Sequence, residues 1–405
     1  MSVRRLFAVC MLLDMVMLQP LVAAEPMPET EWLFVEEGGR AGLSDPVVVD
    51  GMVLVGSDTG LVRAFEAKTG EEIWRHSHGA RVHVRPEFDD EHVYVCSERV
   101  AEALNRRDGK IVWSHSAPKG FGAVAVAPAA RLLILCGYDG IVRAVDTKTA
   151  AQKWAASIVK DAPADRPGFN GGQARFQEID ARPTAAVCDD RWVFVSIFDQ
   201  SRVVGFDIAS GTKKFDYQAG GWIFHAPLVD GDHVFIGSQD QALHCVERAT
   251  SKPVWSFQTR SRIESSAAVD GNRVYIGSCD GGFYCVDRDS GEEKWRFEIE
   301  TGGERTKAIY SDPLIFDDTV CFAAGEGQLY ALDLVSGALR WKYRPLAKSE
   351  LFTSPASDGR LIFVTSRPNL AIDDRAVAGK AALIAIDPAF QVVDPFERKP
   401  TSKAP

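Results

Sequence analysis

Seven times along the chain a strand-like run ends in an acidic residue or Asn, a turn residue follows four positions later, and an aromatic stands four positions beyond the turn. The units are Glu66 to Gly70 with Trp74, Asn105 to Gly109 with Trp113, Asp146 to Ala150 with Trp154, and Asp207 to Gly211 with Phe215. Glu247 to Ser251 with Trp255, Asp287 to Gly291 with Trp295, and Asp333 to Gly337 with Trp341 complete the series. Successive aromatics are 39, 41, 61, 40, 40 and 46 residues apart. A period of about 40 residues filled with short strands belongs to a propeller blade and not to a helical repeat. The filling is β-branched and punctuated by Gly and Asp, as in residues 46–65, and residues 228–237 and 268–277 each place an Asp-Gly turn between two apolar runs.

The expected architecture is therefore all-β, an eight-bladed β-propeller of four-stranded antiparallel blades. The outer-strand aromatics are read as wedges between blades, and the acidic and turn residues as a side-chain-to-backbone clasp that closes each last hairpin. An eighth unit runs through residues 353–387 but carries Pro395 where its aromatic should stand. Trp32, 42 residues before Trp74, is the missing wedge. The N-terminal strand around it is expected to pair into the last blade, so that no edge stays open. Without that pairing the ring would have seven blades.

Residues 1–24 read as a cleaved export signal: Arg4 and Arg5, an apolar stretch broken by Asp14, then Val22-Ala-Ala. Arg4-Arg5 resembles a twin-arginine signal as well as a general one. The propeller is assigned to 25–395, and 396–405 to a disordered tail. The destination implied is the periplasm or the outside of the cell, peripheral to the outer membrane, with no transmembrane segment after cleavage and a monomeric chain. A formal charge of −10 argues against nucleic acid as a partner. Beyond Cys10 there are seven cysteines, Cys96, Cys136, Cys188, Cys245, Cys279, Cys285 and Cys321. Their places in the repeat read as small buried side chains without disulfides, and no His or Cys spacing suggests zinc.

The consensus of a small residue, any residue, Asp, two residues, Thr-Gly, three residues and Trp is similar to the repeat of the pyrroloquinoline-quinone (PQQ) enzyme propellers. The run 44–51, Ser-Asp-Pro-Val-Val-Val-Asp-Gly, and Asp146-Thr-Lys-Thr149 with Trp154 match it. The resemblance spans residues 31–390 and implies the fold. It implies two functions, because the repeat serves both PQQ-dependent oxidoreductases of alcohols or sugars, with PQQ and calcium as cofactors, and non-catalytic scaffolds resembling BamB, the outer-membrane assembly factor. The chain has no Cys-Cys pair and few long loops, which favours the scaffold, with a cell-envelope protein such as an outer-membrane assembly component as partner and no cofactor. Such scaffolds are normally lipid-anchored, and no lipobox stands around Cys10.

Departures from the repeat gather on one face, at residues 159–182, 301–307 and 367–380. Aligning the inner strands gives one ring of Ser44, Val84, Val124, Thr184, His225, Ser265, Ser311 and Thr353 at the channel mouth. The adjacent ring is Asp45, Arg85, Ala125, Ala185, Ala226, Ser266, Asp312 and Ser354. The candidate binding residues are Asp45, Arg85, His225 and Asp312, with Arg175, Arg182, Glu264 and Arg305 nearby. They form either a hydrated channel whose charges pair with one another, or a pocket for a small anionic ligand or a partner's extended segment. No nucleophile and base arrangement stands out, so no catalytic residue is named, and no metal ligand.

Overall fold

The computed structural model describes residues 29–36, 42–82, 84–97, 99–159, 181–300, 307–346, 349–368 and 381–389. They form eight antiparallel sheets, seven of them four-stranded blades in which consecutive strands are neighbours. Blade 1 runs from Val47–Val49 to Glu72–Ser77, blade 2 from Glu87–Phe88 to Ile111–Ser116, blade 3 from Phe121–Ala127 to Gln152–Ser157, and blade 4 from Pro183–Cys188 to Lys213–Gln218. Blade 5 runs from Leu228–Asp230 to Pro253–Gln258, blade 6 from Ala268–Asp270 to Glu293–Glu298, and blade 7 from Leu314–Phe316 to Leu339–Tyr343.

Blade 8 joins the two ends of the chain. Ala356–Ser357, Ile362–Pro368 and Ala382–Asp387 supply its inner strands, and Glu29–Val35 supplies the outer one, pairing from Glu29 with Asp387 to Val35 with Ala382. A short strand, Ser349–Glu350, adds to the far end of Ile362–Pro368. The expected N-terminal closure and the eight blades are both present. Immediately beyond the closing strand, the buried Glu36 carboxylate pairs with Arg63 of blade 1 and accepts from the Thr59 hydroxyl at 3.1 Å. The signal segment and the tail lie outside the described residues.

The apolar residues divide into eight clusters, one at each boundary between neighbouring blades, so the core is a wheel of seams and not a single interior. Each seam is built on the outer-strand aromatic. The indole N–H donates to the turn of the next blade: Trp32 to the Ala67 carbonyl at 2.8 Å, Trp74 to Arg106 at 2.8 Å, Trp154 to Ile208 at 2.7 Å and Trp255 to Arg288 at 3.0 Å. The ring lies on the turn glycine of that next blade. A Cβ on Gly291 would sit 2.6 Å from Trp255, and one on Gly109 would sit 2.5 Å from Trp74. These glycines also have positive φ, 74° and 68°, so both the backbone and the wedge demand the absence of a side chain.

The acidic residue closes the same turn. Asp146 accepts from the Lys148 and Thr149 amides and the Thr149 hydroxyl, and Asp333 from the Val335 and Ser336 amides and the Ser336 hydroxyl. The Thr149 hydroxyl first, then the backbone donors and Lys153, lower the Asp146 carboxyl to about 2.

The seam between blades 4 and 5 departs from the rule at both of its members. Phe215 has no N–H, and Ser251 replaces the turn glycine at φ 60°. There the Asp216 amide donates to the Ser251 hydroxyl at 3.0 Å, and Arg248 pairs with Asp189 at 2.6 Å while lying 4.6 Å over the Trp192 ring. The hairpin turns also refine the reading of Asp-Gly. In blade 1 the turn residues are Asp50 and Gly51, both at positive φ, but register in blades 5 and 6 puts Gly231-Asp232 and Gly271-Asn272 in the turn, with Asp230 and Asp270 ending the strands.

The described cysteines are all free, and all but Cys188 are fully buried. Burial pushes the thiols of Cys136, Cys245 and Cys321 up to about 12. Two substitutions test the wedge. Gly291→Ala is expected to destabilise by about 2 kcal/mol or more, because strain at positive φ and the Trp255 contact act together. Ala150→Gly, at φ 57°, is expected to stabilise by about 1 kcal/mol. Urea unfolding of both variants checks the pair of signs.

Candidate functional site

The hydroxyls of Ser44, Ser265, Ser311 and Thr353 turn into their own blades and bond the second strand: Gly56 N–H donates to Ser44, and Ser265, Ser311 and Thr353 donate to the carbonyls of Gly277, Ala323 and Thr365. These four are buried. Both rings were expected near the channel mouth, but these four hydroxyls satisfy backbone groups within their own blades, as buried polar groups must, while His225 of the same ring stands beside the second.

The second ring forms a hydrogen-bonded belt that crosses from blade to blade. Ser266 donates through its hydroxyl to the Ala226 carbonyl at 2.7 Å and through its amide to Asp312 Oδ1 at 2.6 Å. The Asp312 amide donates to the Ser354 hydroxyl at 3.0 Å, and the Ser354 amide to Asp45 Oδ1 at 3.2 Å. His225 Nδ1 stands 3.1 Å from Asp312 Oδ1. Arg85 acts on both Asp45 and Asp312 through its charge. Four of the residues singled out from the sequence, Asp45, Arg85, His225 and Asp312, are thus brought together.

The electrostatics of this group are self-compensating. Burial opposes charge on His225, yet Asp312, by charge and hydrogen bond, and then Asp45 and Glu264 outweigh it and raise the imidazole above its usual value. Burial likewise opposes the Asp312 carboxylate, but His225, the Ser266 amide and Arg85 bring it below the usual range. Asp45 goes the other way: burial and the Asp312 charge raise it, against His225, Arg85 and the Ser354 amide. His225 and Asp312 keep 32 % and 30 % of their side-chain surface open to the channel, so solvent there moderates the pair.

The remaining candidates lie around this centre. Glu264 accepts from Arg262 Nε at 2.6 Å and from the Gln239 amide, and it faces His225 through its charge. Arg182 lies 5.2 Å over the Phe198 ring, set back from the belt. Arg175 and Arg305 fall outside the described residues, as does most of each long loop. Beside Glu264 lies a cleft of about 590 Å³ whose lining includes Arg260, Arg262, Asp280, Glu298 and Lys307. Arg260 is paired with Glu298 at 3.0 Å.

One ionisable inner-strand residue escaped the sequence reading. Glu87 lies two positions beyond Arg85 on the inner strand of blade 2, where the other blades carry Val47, Ala127, Val187, Leu228, Ala268, Leu314 and Ala356. Burial raises its carboxyl to about 7, partly offset by Arg85. Extending the strand alignment by two residues would have shown one acid among seven apolar side chains. Flanking the mouth is a second unforeseen feature, a group of half-buried aromatics. Phe198 contacts Trp222 and Phe224 with ring centroids 4.6 and 4.8 Å apart, and across the mouth Tyr310 meets Phe352 edge-on at 5.3 Å.

A quinone with its calcium would need several free oxygen donors for the cation and flat groups against the ring. Asp45 and Asp312 each give one oxygen, Oδ1, to an amide donor, Asp312 Oδ1 also meets His225, and Arg85 adds positive charge beside them, so the pair leaves one oxygen apiece for a cation. The belt otherwise offers Ala and Ser. The described residues of the belt do not fit that cofactor.

Glu87 yields a pH prediction. Its folded value lies above the usual acid range, so the neutral form is favoured by folding, and a stability cost appears as pH rises from the ordinary value of 4.5 through about 7. Glu87→Gln should therefore raise the melting temperature at pH 8 and leave it nearly unchanged at pH 4, which thermal melts across that range will measure.

Comparison with known proteins agrees with the geometry. The family profile described as "Outer membrane protein assembly factor BamB" matches residues 26–183 and 138–390. BamB from Moraxella catarrhalis is similar in structure, with a TM-score of 0.66 at 13 % identity over 88 % of this chain and 99 % of that one. So is the quinohemoprotein alcohol dehydrogenase of Comamonas testosteroni, at a TM-score of 0.68, 14 % identity, 92 % of this chain and 77 % of that one. A lupanine 17-hydroxylase [cytochrome c] from a Pseudomonas species is 25 % identical over 259 residues, 56 % of this chain and 35 % of its own. The chain spans about a third of the length of the curated relatives it matches. With the profile covering nearly the whole propeller, the chain belongs to the BamB-type family of PQQ-like β-propellers.

Proposed function

We propose that the protein is an exported, non-catalytic scaffold of the cell envelope that holds an extended segment of a protein partner against the channel-mouth face. The observation that carries this reading is the contrast at that face. The belt charges are satisfied by one another, while Phe198, Trp222, Phe224, Tyr310 and Phe352 stand half-buried around them. Half-exposed aromatics around a rigid rim are the anchors from which protein interfaces draw most of their energy. Family membership supports an outer-membrane assembly component as the partner, and the sequence of residues 1–24 supports export. No helix among the described residues is long and apolar enough to cross a membrane.

The other reading is a PQQ-dependent oxidoreductase of alcohols or sugars, favoured by the 25 % identity to a quinoprotein ethanol dehydrogenase from Pseudomonas putida. Two experiments separate them. A photo-crosslinking residue at Phe224 is expected to capture an envelope protein in cells. Phe224→Ala with Phe352→Ala should lower the recovery of that protein in pull-downs at least about tenfold, the loss of two anchor side chains, without changing the melting curve much. Reduction of an electron-accepting dye by alcohols or aldoses that depends on added PQQ and calcium would overturn the proposal.

A further inference from the structure

Away from the channel, at the seam between blades 1 and 2, the repeat is broken in a way the scaffold reading does not use. Two residues beyond the outer-strand aromatic lies a position whose side chain, at several seams, reaches across to the third strand of the next blade. At most seams it is aromatic: Phe34 lies under Arg63, Tyr217 meets His244, Phe257 meets Tyr284, and Phe297 meets Tyr330. In blade 1 that position is His76. Four residues beyond the aromatic, where Ala117, Ile158, Ala219 and Ile299 are small or apolar and buried, blade 1 has His78. The residue they meet on blade 2 is Glu102.

Alternation along the strand puts the two histidines on one face. Both rings converge on one oxygen, with His76 Nε2 2.9 Å from Glu102 Oε2 and His78 Nδ1 in contact with the same atom. The three donor atoms all lie within 4.8 Å of one another. The His78 side chain is fully covered at 0 % exposure, while His76 and Glu102 keep 12 % and 11 %. The second nitrogen of the buried His78 ring, Nε2, has no hydrogen-bond partner in the structure. In the metal complex the ion takes the place of the Nδ1 proton between His78 and Glu102 Oε2, and that proton moves to Nε2, the tautomer in which Nδ1 coordinates.

We propose that His76, His78 and Glu102 form a site for a divalent transition-metal ion of the zinc class, which staples blade 1 to blade 2. Two imidazoles and a carboxylate are the donor set such ions prefer over calcium or magnesium. The narrow opening at His76 and Glu102 leaves the fourth position to water. Because the ligands come from two blades, bound metal resists the opening of that seam. At the other seams, packing of rings does the same work.

The test uses full-length protein without a polyhistidine tag, stripped with EDTA and titrated with zinc by calorimetry and with cobalt by visible absorption. The expected result is one ion per chain, cobalt bands of low-symmetry coordination, and a higher melting temperature with zinc. His76→Phe restores the aromatic that other seams use, so it should fold, and it should weaken zinc binding at least about tenfold, as should Glu102→Gln. Absence of saturable one-to-one binding overturns the proposal, and so does binding that is as tight in the folded His76→Phe variant as in the parent.

Discussion

The fold depends on a contact between an indole ring and a bare backbone. At most seams the wedge satisfies three needs at once: it fills the gap between two sheets that could not bury their faces alone, it ties its N–H to the neighbour's turn, and it lies where only glycine leaves room. Because the wedge of one blade reads the turn of the next, each unit specifies its successor. This explains why residues as far apart as Trp32 and Gly70 obey the same rule as Trp255 and Gly291. At the blade 2–3 seam Ala150 replaces the glycine under an unchanged Trp113, whereas at Phe215 and Ser251 both members change and a serine hydroxyl and an arginine supply the lost bonds.

The rigid wheel positions the functional groups. Inner-strand hydroxyls are spent within the blades, and that frees the next register position to form a belt in which Ser266, Asp312, Ser354 and Asp45 link four blades. Such a belt leaves the charges of His225, Asp312, Asp45 and Arg85 compensated. In the scaffold reading proposed above, recognition falls to the aromatic groups on the rim, which lie in the loops that leave these strands.

The seams were legible in the sequence because the aromatic and the turn recur at fixed offsets within each unit. Even the closing strand could be found, since Trp32 falls one period before Trp74. The convergence of Asp45, Arg85, His225 and Asp312 was legible for the same reason: equivalent positions in equivalent strands must meet around an axis. What the repeat could not show is that the hydroxyls of Ser44, Ser265, Ser311 and Thr353 turn into their own blades while His225, in the same ring, meets Asp312. Glu87 went unseen because the alignment stopped two residues short of it. His76, His78 and Glu102 went unseen because their proximity arises between third and outer strands of different blades, where sequence separation carries no sign of contact.

The pairing of Glu29–Val35 with Ala382–Asp387 has a consequence for how the molecule is made. A ribosome delivers the first of these strands long before its partner, so although Trp32 can dock at once on Ala67 and Gly70 of blade 1, the backbone edge of Glu29–Val35 must wait through the synthesis of seven complete blades. The circle can be locked only by an encounter between the two most distant parts of the chain, a late and entropically demanding step. Until then the newborn protein is an open arc with an unpaired rim at each end, and that interval is when an escorting factor would matter most to it.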